Sequence, residues 1–120
     1  MTRRRPEDSI QRAVFAHIRA RGVKGLVAVH VPNGGFRKPV EAKILKGLGV
    51  TAGTPDLLLW HDGKAFAMEL KAEAGRVTEA QLEMLNRLSQ AGVFTCVCHG
   101  LDKALAVLEA WQLLRGRCQN

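Results

Sequence analysis

Apolar residues recur along the first part of the chain at Ile10, Val14 and Ile18, a four-residue spacing that predicts a helix over residues 6–21 with Gly22 able to end it. Leu26 to Val31 is short and rich in β-branched residues, which predicts a strand running into the turn Pro32-Asn33-Gly34-Gly35. Val40 to Leu48 fits a short helix with Ile44 and Leu48 inward and its lysines outward, ending near Gly47 or Gly49. Two apolar runs, Leu57 to Trp60 and Ala65 to Lys71, flank the turn His61-Asp62-Gly63-Lys64 and predict a hairpin. After a loop over residues 72–77, Thr78-Glu79-Ala80-Gln81 has the form of a capping box. It opens a helix with a buried stripe of Leu82, Leu85 and Leu88, closed by Gly92. Val93 to Cys98 is expected as a fully buried strand and His99-Gly100 as a turn. Asp102 is expected to cap a last helix whose apolar face is Leu101, Leu105, Leu108 and Trp111.

The order helix, strand, short helix, hairpin, helix, strand, helix describes an α/β domain with a mixed central sheet flanked by helices. The hairpin strands are antiparallel, whereas the crossover through the Thr78 helix places the Val93 strand parallel to the one ending at Lys71. With 120 residues, one domain over 1–120 is expected, its basic residues 1–5 a flexible N-terminus. There is no internal repeat, and no phosphate-binding Gly-x-x-x-x-Gly-Lys loop or dinucleotide fingerprint, which argues against a nucleotide-driven enzyme.

Charge narrows the partner. Eighteen Lys and Arg against eleven Asp and Glu leave +7 and a pI near 9.9, which favours a polyanion, nucleic acid first. The positive residues gather at Arg3-Arg4-Arg5, at Arg37, Lys38, Lys43 and Lys46, and at Arg115 and Arg117. Basic termini are often only solvated tails, so the internal group is the better candidate for phosphate contact. Cys96, Cys98 and Cys118 are odd in number and lack zinc-site spacing, which points to reduced thiols and a cytoplasmic setting. No apolar run approaches membrane-spanning length, and the N-terminal arginines are followed by Glu7, Asp8, Gln11 and Arg12 instead of a signal-peptide core.

The chemistry concentrates around the hairpin. Alternation puts Phe66, Met68 and Leu70 on one face of its second strand and Ala67, Glu69 and Lys71 on the other. Asp56 opens the first strand after Gly53-Thr54-Pro55, so Asp56, Glu69 and Lys71 gather at one end. Singly, an Asp after Pro is a turn residue and Glu-x-Lys a solvated ion pair. Together, two carboxylates and the Leu70 carbonyl suit a hard divalent cation, Mg2+ or Mn2+, with Lys71 placed to orient or help deprotonate a water. Glu7 and Gln11 share a helix face, where Glu7 alone reads as a complement to the helix dipole. The Asn33-Gly34-Gly35 loop offers backbone donors to a phosphate, or simply reverses the chain. Gln81 is accounted for as a cap, and His99 as a loop residue without a ligand partner.

The series Glu7-x-x-x-Gln11, Val31-Pro32-Asn33-Gly34-Gly35, Gly53-Thr54-Pro55-Asp56, Glu69-Leu70-Lys71 and Gln81 resembles, over nearly the whole chain, a stand-alone VRR-NUC domain. That is a branch of the PD-(D/E)xK nuclease superfamily, with a restriction-endonuclease-like core, of the compact kind found in phages and bacteria. The resemblance implies Asp56 and Glu69 as metal-binding carboxylates, Lys71 as catalytic lysine, Glu7 as a further acidic contributor and the Leu70 carbonyl as a main-chain ligand. It raises Gln81 from cap to site residue, able to serve as both, and places Gln11 and Asn33 at motif positions. It further implies Mg2+- or Mn2+-dependent cleavage of duplex or branched DNA, such as four-way (Holliday) junctions. A homodimer is implied as well, with residues 36–50 and the C-terminal helix as interface candidates. Two other readings compete: a non-catalytic nucleic-acid-binding module of a phage or bacterial DNA-processing complex, and a metal-dependent hydrolase of small phosphoesters, which the surplus basic charge disfavours.

Overall fold

A computed structural model describes residues 6–32 and 52–116. The expected Val40–Leu48 helix, the Asn33-Gly34-Gly35 turn, Arg37, Lys38, Lys43 and Lys46, and both chain ends lie outside the described residues. Helix α1 is Pro6–Arg21, with proline in the first turn where its missing N–H costs nothing. The strands β1 (Val27–His30), β2 (Leu57–His61) and β3 (Lys64–Lys71) follow. Helix α2 (Glu79–Gln90), strand β4 (Phe94–His99) and helix α3 (Leu101–Ala110) complete the described part.

The sheet order is β1-β2-β3-β4, with β1/β2 and β2/β3 antiparallel and β3/β4 parallel, the mixed sheet expected from the hairpin and crossover. The hairpin closes on two residues, Asp62 and Gly63, at φ 52° and 76°, the left-handed pair whose twist matches the strands it joins. One face of the sheet, carrying Leu57, Leu59, Phe66, Met68, Leu70 and Cys98, packs with Val14 of α1 and Ala104, Leu105 and Leu108 of α3 to form the core. Phe66 lies between Phe94 and Trp111, at centroid distances of 5.3 and 5.1 Å.

Beyond α3, the chain returns to the end of α1. Leu114 bridges to Gly22, and Arg115 donates its backbone N–H to the Arg21 carbonyl at 2.8 Å. The Arg21 guanidinium pairs with Glu109 and donates to the Arg115 carbonyl at 2.8 and 3.0 Å. The Arg115 side chain donates to the Ala20 carbonyl at 2.7 Å, so that arginine braces the fold.

Four local expectations are corrected. Among the described strands β4 is at the sheet edge with one neighbour, so only Cys98 in it is buried and Phe94 is 49% exposed. In α2 the buried leucine is Leu85, while Leu82 faces outward. The N-cap of α3 is Gly100, because the helix already begins at Leu101; Asp102 therefore sits in its first turn and makes no cap bond. His99 ends β4 instead of lying in a loop, and its Nε2 is 2.9 Å from the Gly75 carbonyl.

Candidate active site

The β2/β3 ladder ends at Leu57 opposite Met68, so the next pair outward in the same register would be Asp56 and Glu69. Antiparallel pairing thus brings residues thirteen apart in the chain face to face beyond the last ladder rung. Asp56 is held from both sides. Its Oδ2 accepts from the Leu70 N–H at 2.8 Å, and its carbonyl accepts from the Val31 N–H at 2.8 Å. His30 Nδ1 lies 3.2 Å from the same carbonyl; a carbonyl only accepts, so that nitrogen carries the ring proton in this contact.

Glu69 and Lys71 are 2% and 7% exposed, although both carry charge-bearing side chains. Lys71 Nζ lies 3.8 Å from Glu69 Oε2, and Gln81 Nε2 donates to that oxygen at 3.1 Å. Glu69 Oε1 is buried with no hydrogen-bond partner among the described residues. Burial, and then the negative charge of Asp56, pushes the Glu69 carboxyl up to about 9 from its ordinary 4.5; Lys71 opposes the rise and Glu7 adds to it.

A cleft of about 120 Å³ opens beside these groups, lined by Asp56 and Leu70, by Glu7, Asp8 and Gln11 of α1, and by His30 and Pro32. The Leu70 side chain is in the core, so its main chain supplies the cleft wall. Within an antiparallel pair, a residue's N–H and C=O face the same neighbour. Leu70 turns its N–H to Asp56, so its carbonyl faces that side as well, whereas the Lys71 carbonyl faces the other side and accepts from the Gly100 N–H. Both polar atoms of the Gln11 side chain are buried without partners among the described residues, a demand that a bound group would satisfy.

The expected trio of Asp56, Glu69 and Lys71 is brought together, and Glu7 and Gln11 line the adjoining cleft. Gln81 caps α2, its Oε1 accepting from the Thr78 N–H at 2.9 Å, and its Nε2 also donates to Glu69 Oε2. Asp8 and His30 are cleft residues with no role in the sequence expectations, and Pro32 of the Val31–Gly35 motif lines the cleft beside them. The signal for Asp8 was adjacency to Glu7; that for His30 was concealed in the β1/β2 register, which sets it opposite Leu57 and next to Asp56.

A divalent cation fits this donor set. Two opposed carboxylates, one with an orphaned oxygen, and a main-chain carbonyl on the same side are hard oxygen donors. Among the described residues no three His, Cys, Asp or Glu side chains are grouped as a metal site.

The mixed sheet with helices packed against it is a restriction-endonuclease-like α/β domain, with acids and a lysine gathered at one end of its hairpin. A solved structure described as a "VRR_NUC domain protein" has the same fold: 24% identity and a TM-score of 0.73, over 99% of this chain and 100% of that one. Residues 5–102 match the model of the VRR-NUC domain, and the chain belongs to that family of nuclease domains. No curated protein matches the chain.

Proposed function

We propose that the protein is a metal-dependent endodeoxyribonuclease that hydrolyses DNA phosphodiester bonds. The observation that carries this reading is the buried Glu69 carboxyl, opposite Asp56 and beside Lys71, with one oxygen left without a partner. Asp56, Glu69 and the Leu70 carbonyl would hold Mg2+ or Mn2+, with Glu7 contributing charge from α1. A cation there would polarise the phosphoryl group and lower the pKa of a bound water.

The chain's own residues do the rest. Lys71, fixed by burial beside Glu69, orients the attacking water and offsets charge developing on the phosphate. Gln81 holds Glu69 in place through Oε2, which leaves Oε1 for the cation. Gln11 offers a buried amide at the cleft wall to a phosphate or its water. The loop Asn33-Gly34-Gly35 and the cations Arg37, Lys38, Lys43 and Lys46 are assigned to the DNA backbone, on the strength of the +7 charge.

Selectivity for branched structure, four-way junctions included, is part of the proposal. Phosphate contacts carry no base information. A homodimer would pair two such sites, one per strand. Among the described residues no helix is long and apolar enough to cross a membrane, and Cys96 and Cys98 are free thiols; we assign the bacterial or phage-infected cytoplasm.

The test is cleavage of labelled single-stranded, duplex, flap and four-way-junction DNA with Mg2+, Mn2+ or chelator, using wild type beside Lys71→Ala and Asp56→Ala. Metal-dependent cutting should fall by at least about 10²-fold in both variants, with DNA binding retained. Unchanged cutting in either would remove that residue from the site, and tight binding without any cutting would favour a binding module.

A further inference from the structure

The two opposed carboxylates lie beyond the end of the β2/β3 ladder, so strand pairing alone does not set their separation. What lies against Glu69 and against the loop leading to Asp56 is the first turn of α2. The Gln81 amide is held at each end, its Oε1 by the Thr78 N–H at 2.9 Å and its Nε2 by Glu69 Oε2 at 3.1 Å. A flipped amide would face a donor with a donor and an acceptor with an acceptor, so one orientation is selected. Thr78 Oγ1 in turn accepts from the Gln81 backbone N–H at 3.1 Å, which keeps the N-cap extended (φ −80°, ψ 164°) and its own N–H aimed at Gln81.

On the other side, the loop leading to Asp56 rests on the same turn. Gly53 has φ +82°, and a Cβ there would stand 2.3 Å from the Ala80 carbonyl oxygen and 2.9 Å from the Gln81 nitrogen. Only a residue without a side chain allows this approach. One helical turn therefore touches the loop before Asp56 and the side chain of Glu69.

We infer that the first turn of α2 is a brace that fixes the Asp56 and Glu69 carboxylates relative to each other for cation binding, with Thr78 and Gly53 as positioning residues. The inference rests on the metal-binding reading above and deepens it. Residues that support metal ligands from behind typically change metal affinity by about 10–100-fold when removed.

The experiment is Mn2+ binding followed by electron paramagnetic resonance, without DNA, for wild type, Thr78→Ala, Thr78→Ser, Gly53→Ala and Gly92→Ala, each checked for folding by circular dichroism. Thr78→Ala should weaken Mn2+ binding by about tenfold, and Thr78→Ser should restore it, because serine supplies the same oxygen. Gly53→Ala should weaken binding as well; should it fail to fold, the Thr78 pair decides. Gly92→Ala strains the other end of the same helix, at φ +96°, and should lower the melting temperature with Mn2+ affinity unchanged. Wild-type affinity in Thr78→Ala, or equal weakening in Gly92→Ala, would overturn the brace. A folded wild type that binds no Mn2+ would overturn the metal-binding reading itself, and the brace with it.

Discussion

Replacing Glu69 by glutamine should remove its contribution to the pH dependence of stability in protein stripped of divalent cations. The wild-type carboxyl titrates near 9 in the folded chain against an ordinary 4.5, so the folded state keeps a proton that the unfolded state releases. The contribution is therefore fully present below about pH 4.5, falls as pH rises, and is gone above about 9. Its slope is ~1.4 kcal/mol per pH unit for one proton, so from pH 5 to 8 the wild type should lose about 4 kcal/mol through this group. Glutamine mimics the protonated acid: its oxygen can accept from Gln81 Nε2, and its amide meets the negative charge of Asp56. Urea unfolding in chelator at pH 5, 6, 7 and 8, read by the fluorescence of Trp60 and Trp111, should show the variant gaining on the wild type at each step. Calorimetric Mn2+ titration near pH 7 in two buffers of different ionisation enthalpy should also register about one proton released per ion in the wild type and fewer in the variant. Parallel pH curves for the two proteins would refute the argument, because they would mean that Glu69 carries no extra proton in the folded state.

Two further outcomes concern the scaffold. Arg21→Ala removes the pair with Glu109 and the bonds to the Arg115 carbonyl; it should cost about 1–3 kcal/mol in thermal or urea unfolding, with kcat unchanged where the protein is folded. Leu105→Ala empties a site 1% exposed between α3 and the sheet and should cost about 2–5 kcal/mol, read in the same unfolding assay.

Where local rules and tertiary packing agreed, the fold was readable before any coordinates. The Asp62-Gly63 turn, the Thr78 capping box and the apolar spacing of α1 each place an element by short-range chemistry, and each element is present. The trio at the hairpin end was readable because strand alternation and hairpin pairing bring Asp56, Glu69 and Lys71 to one end of the hairpin, although pairing does not set the separation of the carboxylates. What failed depended on position in the finished sheet. Phe94 is as apolar as a central-strand residue, and nothing local marks β4 as an edge. Leu82 sits at a regular spacing in α2, yet exposure is decided by how that helix leans on β4. His30 escaped notice because its neighbour Asp56 is 26 residues away and only the β1/β2 register joins them. The basic residues of 36–50 carry a DNA-contact assignment that rests on charge alone.

The hairpin tip offers a practical handle. Asp62, Gly63 and Lys64 are exposed; Gly63 holds φ +76° and stays glycine, so an attachment belongs on the flanking Lys64. The tip lies at the far end of β2 from Asp56, about 20 Å away at the rise of an extended strand. An exposed turn of this kind tolerates inserted residues. A fluorophore or surface tether attached there would leave the carboxylate end of the sheet open, so single molecules could be watched as they meet DNA in solution.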